Sequence, residues 1–220
     1  VNESATLNIA ENNTGAERSV VVKVVAANNK ELVAEYTITQ NQRYFMEYTS
    51  EGGYTVSPYD SSAFDATIIR NEYIDGKGYI DFDAPITSIG SYAFYGCTSL
   101  TSVTIGKGVT SIGENIFCGC SSLQEFNGDL ASEDGRCLII DGELNSFASA
   151  GLTEYTIPDS VTSIGSMAFW DCTSLTSVTI PDSVTSIGDY AFYNCYSLTS
   201  VTIPDSVTMI GKQAFYSCYS

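Results

Sequence analysis

The sequence predicts a β-rich α/β solenoid, right-handed and built from 23-residue coils, with a short β segment of another kind in front of it. Three observations carry that prediction. An Ile-Gly pair recurs five times with Cys eight residues after the Ile: Ile89 to Cys97, Ile112 to Cys120, Ile164 to Cys172, Ile187 to Cys195 and Ile210 to Cys218. The intervals between successive Ile residues are 23, 52, 23 and 23, and 52 equals one regular repeat plus one of 29 residues that holds an insertion. Within each repeat, strand-like alternation gives way to apolar positions spaced like one face of a helix.

Residues 1 to 43 form the segment of another kind. Three apolar stretches, Ala5 to Ala10, Ser19 to Ala26 and Glu31 to Thr39, are separated by turns at Asn12 to Gly15 and at Asn28-Asn29. Val20, Val22 and Val24, and again Val33, Tyr36 and Ile38, fit the alternation of antiparallel strands imperfectly. Three strands are too few for an independent sandwich. Residues 44 to 83 are irregular, with a hairpin expected around Glu51-Gly52-Gly53, a turn at Ser57-Pro58, and strand material at Ala66 to Ile69 and Tyr73. From Gly78 the repeat begins to show: Ile80, Phe82, Ile86 and Ile89 take the places of Val178, Ile180, Val184 and Ile187. The irregular stretch therefore reads as a cap on the first coil's open edge.

The regular unit is clearest at Leu175 to Cys195. Val178, Ile180 and Val184 point inward by strand alternation while Ser177 and Thr179 point out. Pro181-Asp182-Ser183 is a turn. After Gly188, Ala191, Phe192, Cys195 and Leu198 follow the spacing of a buried helical face, so each coil is expected to hold two short strands and a short helix. One coil cannot bury its own apolar face, and successive coils must stack with parallel strands roughly 4.8 Å apart. Between Phe126 and Leu152 the rhythm breaks. Asp134-Gly135 and Asp141-Gly142 bracket an apolar run, which predicts a β-hairpin inserted at 129–151 on the helical side. The sequence ends at Ser220 within a repeat and without a polar cap, as expected of a cut chain or of a last coil that is frayed or covered.

Composition removes several function classes. With 26 acidic against 9 basic residues the net charge is -17, which repels nucleic-acid phosphates and anionic lipid heads. Histidine is absent, which removes Ser-His-Asp and Cys-His pairs, the common zinc sites and imidazole chemistry. No run of eighteen apolar residues is present, and Val1-Asn2-Glu3-Ser4 lacks the features of a signal peptide. No cofactor or metal is expected. Five of the seven cysteines share one repeat position; parallel stacking keeps their side chains from converging, so they read as small buried fillers, with metal or redox roles as the alternative. Cys118 stands apart at the outward position held elsewhere by Tyr95, Trp170, Tyr193 and Tyr216, where an accessible thiol is expected.

That outward column supplies the candidate ligand-binding residues. Tyr190, Tyr193 and Tyr196 lie opposite the core, Tyr216 and Tyr219 continue them in the next coil, and Tyr95 and Trp170 belong to the same column. Aromatic faces bind sugar rings and protein side chains. The alternative is that these rings lie flat and shield the core. Ser102, Ser177 and Ser200 beside Thr104, Thr179 and Thr202 form polar strand columns, suited either to flat recognition or to plain solvation. Asp159, Asp182 and Asp205 stack like charges; calcium could bridge them, but Pro-Asp-Ser is ordinary turn chemistry.

Leu-x-x-Val-x-Ile resembles the leucine-rich repeat. The 23-residue version, with Ile-Pro-Asp-Ser-Val-Thr-Ser-Ile-Gly and Ala-Phe-x-x-Cys, closely resembles the BspA-like family over residues 78 to 220. Glu17-Arg18-Ser19 through Ile38-Thr39-Gln40 resembles the closing strands of the immunoglobulin-like BACON domain of gut Bacteroidetes proteins. The BspA resemblance implies an exported, non-enzymatic surface protein that adheres to a protein or glycan macromolecule outside the cell, matrix glycoproteins among them. The BACON resemblance implies carbohydrate or mucin attachment as a second possibility. A spacer that projects a neighbouring domain is the third. A carboxylate hydrolase would need two acids facing one cleft, whereas repeats place identical residues in ladders.

Overall fold

The computed structural model describes residues 18–25, 32–40 and 42–219. Backbone contacts divide the chain into two units, Val1–Phe45 and Met46–Ser220. In the first, Arg18–Val25 and Leu32–Gln40 pair antiparallel with Val20 opposite Ile38. The expected strand Ala5 to Ala10 and the turns at Asn12 to Gly15 and Asn28-Asn29 lie outside the described residues. A two-stranded ribbon occurs in many folds and by itself identifies no immunoglobulin-like domain.

The second unit is a β-solenoid with two parallel ladders. One joins Leu100–Ile105 to Glu125–Gly128 and, farther on, Glu154–Thr156 to Ser177–Thr179 and Ser200–Thr202. The other joins the two-residue strands Ser88–Ile89 and Ser111–Ile112, then Glu143–Phe147, Ser163–Ile164, Ser186–Ile187 and Met209–Ile210. Val178, Val184, Ile187, Ala191, Phe192, Cys195 and Leu198 are all buried, as the alternation requires. Phenylalanine rings stack through the interior: Phe94 on Phe117, then Phe169, Phe192 and Phe215 in turn.

The expected helix is not there. After each Ile-Gly the chain runs through successive turns. Two positions per corner have positive φ: Tyr92, Asn115, Met167, Tyr190 and Gln213 at one, and Gly96, Gly119, Asp171, Asn194 and Ser217 at the other. Left-handed residues cannot continue an α-helix. The backbone bonds instead to the next coil: Tyr190 N–H donates to Lys212 O at 2.9 Å, Phe192 to Ala214 at 2.7 Å and Asn194 to Tyr216 at 3.0 Å. Burial at Ala191, Phe192, Cys195 and Leu198 matches a helical face because the tight corner turns these same side chains inward, so spacing alone does not separate the two.

Stacking explains the invariant features of the repeat. A Cβ on Gly188 would lie 2.6 Å from Ser166 N, and one on Gly211 2.4 Å from Asp189 N. At Gly113, Gly188 and Gly211 the glycine of the Ile-Gly pair admits close approach of the preceding coil's backbone, and at Gly90 that of Ala63 in the lead-in. Each column cysteine that follows a regular coil donates its thiol to a phenylalanine carbonyl one coil back, as Cys195 does to Phe169 O at 3.1 Å. Threonine hydroxyls reach back likewise, Thr199 to Thr176 O at 3.0 Å and Thr208 to Thr185 O at 3.3 Å. Pro-Asp-Ser forms a turn closed by Val184 N–H on Pro181 O at 3.1 Å.

The lead-in departs from its expected hairpin. Glu51–Gly53 is a short 3₁₀ turn, and the strand before it, Tyr44–Ser50, pairs antiparallel with Leu100–Ile105 across about fifty residues of sequence. This strand lies between Leu100–Ile105 and Lys77–Phe82, so the first two coils are not directly paired there. The local hairpin is Ile68–Ile74 with Lys77–Phe82, turned at Asp75 and Gly76, both with positive φ as a tight hairpin demands. Thr49 Oγ1 lies 2.6 Å from Ser102 Oγ, which buries the first member of the serine column, whereas Ser200 and Thr202 remain exposed. The lead-in also satisfies the first coil's backbone: Tyr59 N–H donates to Ala93 O at 2.8 Å and Glu51 N–H to Ser99 O at 2.7 Å.

The Ile-Gly ladder is interrupted between Ser111–Ile112 and Glu143–Phe147, and the other ladder between Glu125–Gly128 and Glu154–Thr156. The inserted hairpin, Cys137–Ile140 with Glu143–Phe147, turns at Asp141-Gly142. It does not lie on the corner side, contrary to the sequence expectation. Its second strand joins the Ile-Gly ladder, with Leu144 beside Ile164. Phe147 packs 4.6 Å from Phe169 and extends the ring stack. This coil's corner is short: Leu144 to Leu152 is eight positions, where Ile187 to Leu198 is eleven. Asn145 Nδ2 donates to Gly113 O at 3.0 Å and Ala150 N–H to Leu123 O at 3.0 Å, bonds that bridge the interruption.

Candidate functional site

Four corners turn an Ala-Phe pair inward and the residues on either side of it outward, whereas the corner at Ile116-Phe117 has buried residues, Asn115 and Cys118, on both sides. Because the coils repeat in register, the outward rings fall over one another. Trp170 stacks on Tyr193 at 4.2 Å and 12°, and Tyr193 on Tyr216 at 5.2 Å and 13°. Tyr190 meets Tyr193 edge-on at 5.7 Å, while Tyr196 and Tyr219 form a second stacked pair at 6.2 Å. Trp170, Tyr190 and Tyr193 are half-buried, and Tyr196, Tyr216 and Tyr219 are exposed. Six of the seven candidate residues thus form one surface.

Tyr95 stands on the far side of the interruption. It meets Tyr92 at 5.8 Å and 68°, and Tyr59 of the lead-in at 5.5 Å and 64°, both edge-on. Between Tyr95 and Trp170 the column holds only Cys118, and the inserted coil has a shortened corner. Cys118 is not the accessible thiol expected: it is 6% exposed, and burial, with Asp171 nearby, pushes its pKa up and disfavours the thiolate. A short side chain in the column and a shortened corner leave a groove of about 500 Å³, lined by Tyr59, Asp60, Tyr92, Tyr95, Met167 and Trp170.

Four of those six residues were not singled out from sequence. Tyr92 and Met167 occupy the repeat position of Tyr190, so aligning that column would have found them. Tyr59 and Asp60 belong to the lead-in, which has no repeat position; they arrive only because their backbone N–H groups bond to Ala93 O. Asp60 caps the Ser61–Ala63 turn, with Oδ1 accepting from Ser62 N at 2.9 Å and from Ser62 Oγ at 2.6 Å. Those bonds hold its carboxyl below the usual range, so it is charged at neutral pH. No Lys or Arg lines the groove.

A second, smaller hollow of about 210 Å³ contains Glu114 and Glu143 from opposite sides of the interruption. Burial, and then the charge of Glu114, raises the Glu143 pKa. Among the described residues no three Cys, Asp or Glu side chains are grouped to hold a metal ion, and Asp159, Asp182 and Asp205 are exposed on their turns.

The model of the BspA-type leucine-rich-repeat region matches residues 61–131 and 143–220 in six copies. Among solved structures, a leucine-rich repeat protein from Bacteroides ovatus is 36% identical over 59% of this chain and 31% of its own, with a TM-score of 0.42. A leucine-rich cell surface protein from Faecalibacterium prausnitzii is 27% identical over 81% of this chain and 53% of its own, with a TM-score of 0.39. A leucine-rich repeat protein from Eubacterium ventriosum is 28% identical over 50% of this chain and 32% of its own, with a TM-score of 0.42. The chain spans about a third of the length of the Bacteroides and Eubacterium proteins. A search of curated proteins found no match.

Proposed function

Because the chain belongs to the BspA-type leucine-rich-repeat family, we propose that it is a non-enzymatic adhesion module, displayed at the cell surface, that binds a host or community macromolecule through its outward aromatic face. The observation that carries this reading is the aromatic groove: outward rings from three parts of the chain line one hollow where the ladders are interrupted. Aromatic side chains in a concave, partly apolar site are what interface hot spots are made of. Exposed residues on a solenoid are free of the stacking constraints that fix the core, so ring faces left uncovered there are available for a partner. No described helix is long and apolar enough to cross a membrane, so attachment to a surface would reside elsewhere than in a helix of the described residues.

The test is capture of arrayed matrix proteins and glycans by the chain and by a Tyr95→Ser/Tyr193→Ser variant. Capture of a matrix protein, lost in the variant while the unfolding midpoint holds, is the expected result. The aromatic run Trp170, Tyr193 and Tyr216 favours a second reading, carbohydrate binding, since aromatic rings at its ends and edges give apolar contacts for sugar rings. Saturable capture of glycans alone would select it. No capture of either class would leave the spacer reading, and turnover of an arrayed glycan would overturn the non-enzymatic one.

A further inference from the structure

We propose that the groove between Tyr95 and Trp170 is an aromatic cage for a basic side chain, arginine or lysine, on the protein partner. This deepens the adhesion reading and rests on it.

The walls of the groove differ from the rest of the aromatic column. Along Trp170, Tyr193 and Tyr216 the rings are nearly parallel, within 13° between neighbours, and each covers the next. On the other wall Tyr59, Tyr92 and Tyr95 meet at 64° and 68°, so they turn their faces and edges in different directions around one hollow. Trp170 closes the opposite wall; Tyr193 covers one of its faces, and the other ends the run at the groove. Rings set at steep angles around a cavity surround a cation with π density, and tryptophan contributes most. A sugar ring asks for one broad flat platform, which rings set at steep angles to one another do not supply.

Charge points the same way. Asp60 is the groove's one ionised residue, and its Oδ2 makes no hydrogen bond among the described residues once Oδ1 has taken both bonds from Ser62. A carboxylate with an open oxygen beside aromatic faces matches a guanidinium or ammonium, which needs an acceptor for its N–H groups and accepts a ring against its plane or stem. Met167 adds a polarizable apolar wall for the methylene stem. The chain's net charge of -17 draws cationic surfaces toward it before any contact forms. Long-range attraction alone would bind basic partners anywhere; the cage is what would place one side chain.

The molecule carries its own reporter, because its single tryptophan is Trp170. The experiment titrates the intact chain with a short peptide of alternating glycine and arginine, and with the same peptide carrying citrulline for arginine, while following Trp170 emission at physiological salt. Saturable change with arginine and none with citrulline is expected. Asp60→Asn keeps a capping side chain and removes the charge, and Tyr59→Leu removes one ring without touching charge; each should weaken the arginine peptide by about threefold or more. Tyr59→Phe should bind like the parent. Equal response to citrulline, no response to either peptide, or unchanged affinity in Tyr59→Leu would each overturn the cage, the last by showing diffuse attraction. Capture of a matrix protein that is indifferent to both Asp60→Asn and Tyr59→Leu overturns the cage and leaves the adhesion reading standing. Recognition of the peptide at Trp170 without capture on the array supports the cage and counts against adhesion.

Discussion

Truncating two neighbouring rings, Phe192→Ala and Tyr193→Ala, separates the scaffold from the surface it carries. Phe192 is fully buried and lies between Phe169 at 4.7 Å and 14° and Phe215 at 5.0 Å and 4°. Removing a buried phenylalanine costs about 3–5 kcal/mol, and with a ring lost from both stacked pairs the value should fall near the top, about 4–5 kcal/mol. With a urea slope of about 2 kcal/mol per molar, the unfolding midpoint should drop by about 2 M. Tyr193 lies one residue later and also stacks on two rings, but on the outside, where water replaces much of what is lost. Its truncation should cost less than half as much. Far-UV circular dichroism follows the whole solenoid and Trp170 emission follows the outer stack, so urea titrations of both variants give the two losses side by side. If Tyr193→Ala destabilises as strongly as Phe192→Ala, the outer rings are part of the core and reading them as a recognition surface is refuted. If Phe192→Ala shifts the midpoint by less than about 0.5 M, the stacking account of the interior fails.

Three further outcomes follow from the geometry. Gly188→Ala should destabilise by about 1–3 kcal/mol in thermal or urea unfolding, because its Cβ would come 2.6 Å from the Ser166 backbone nitrogen; a neutral result would mean that the coils are not in such close contact. Glu143 has a folded-state pKa raised above its unfolded value, so the folded chain holds that proton more tightly; stability is greatest below the unfolded pKa and falls as pH rises through the window above it. Glu143→Gln should therefore raise the melting temperature at pH 7 and lose its advantage near pH 4, and a stabilisation that persists unchanged at low pH would contradict the charge-based cause. Burial pushes the thiols of Cys97 and Cys218 up to about 11 and Cys137 up to about 12, and raises Cys118 and Cys120 also, while Cys195 is raised first by its interaction with Cys172 and then by burial. Iodoacetamide at pH 8 should label the native chain at least tenfold more slowly than the urea-unfolded chain by mass spectrometry, and fast native labelling of Cys118 would show that its burial is wrong.

The period of the sequence determined most of the scaffold. Identical residues at 23-residue intervals must stack, and stacking puts Val178 beside Val201 and Ile187 beside Ile210 whatever the backbone does between them. Burial of Ala191, Phe192 and Cys195 was legible for the same reason, since only the inward side of a coil is hidden from water. Backbone conformation in the corner was not: the apolar spacing fits a helix and a tight turn alike, and the difference lies in bonds to Lys212 O and Ala214 O of the next coil, which a local pattern cannot record. The Tyr44–Ser50 strand is a similar case, for its partner is Leu100–Ile105, not the residues beyond its own turn.

Sequence by itself also supplied the ingredients of the candidate site, a column of outward rings on an acidic chain without histidine. Only the tertiary structure decided where that column opens. The inserted strand fills a place in the Ile-Gly ladder while bringing a shorter corner, and the lead-in is held against the first coil by Tyr59 N–H on Ala93 O. Position in a repeat is set by counting residues; a groove is set by which residues fail to fill the space that counting allots them, and that depends on contacts between segments more than a hundred positions apart, as Tyr59 and Trp170 are.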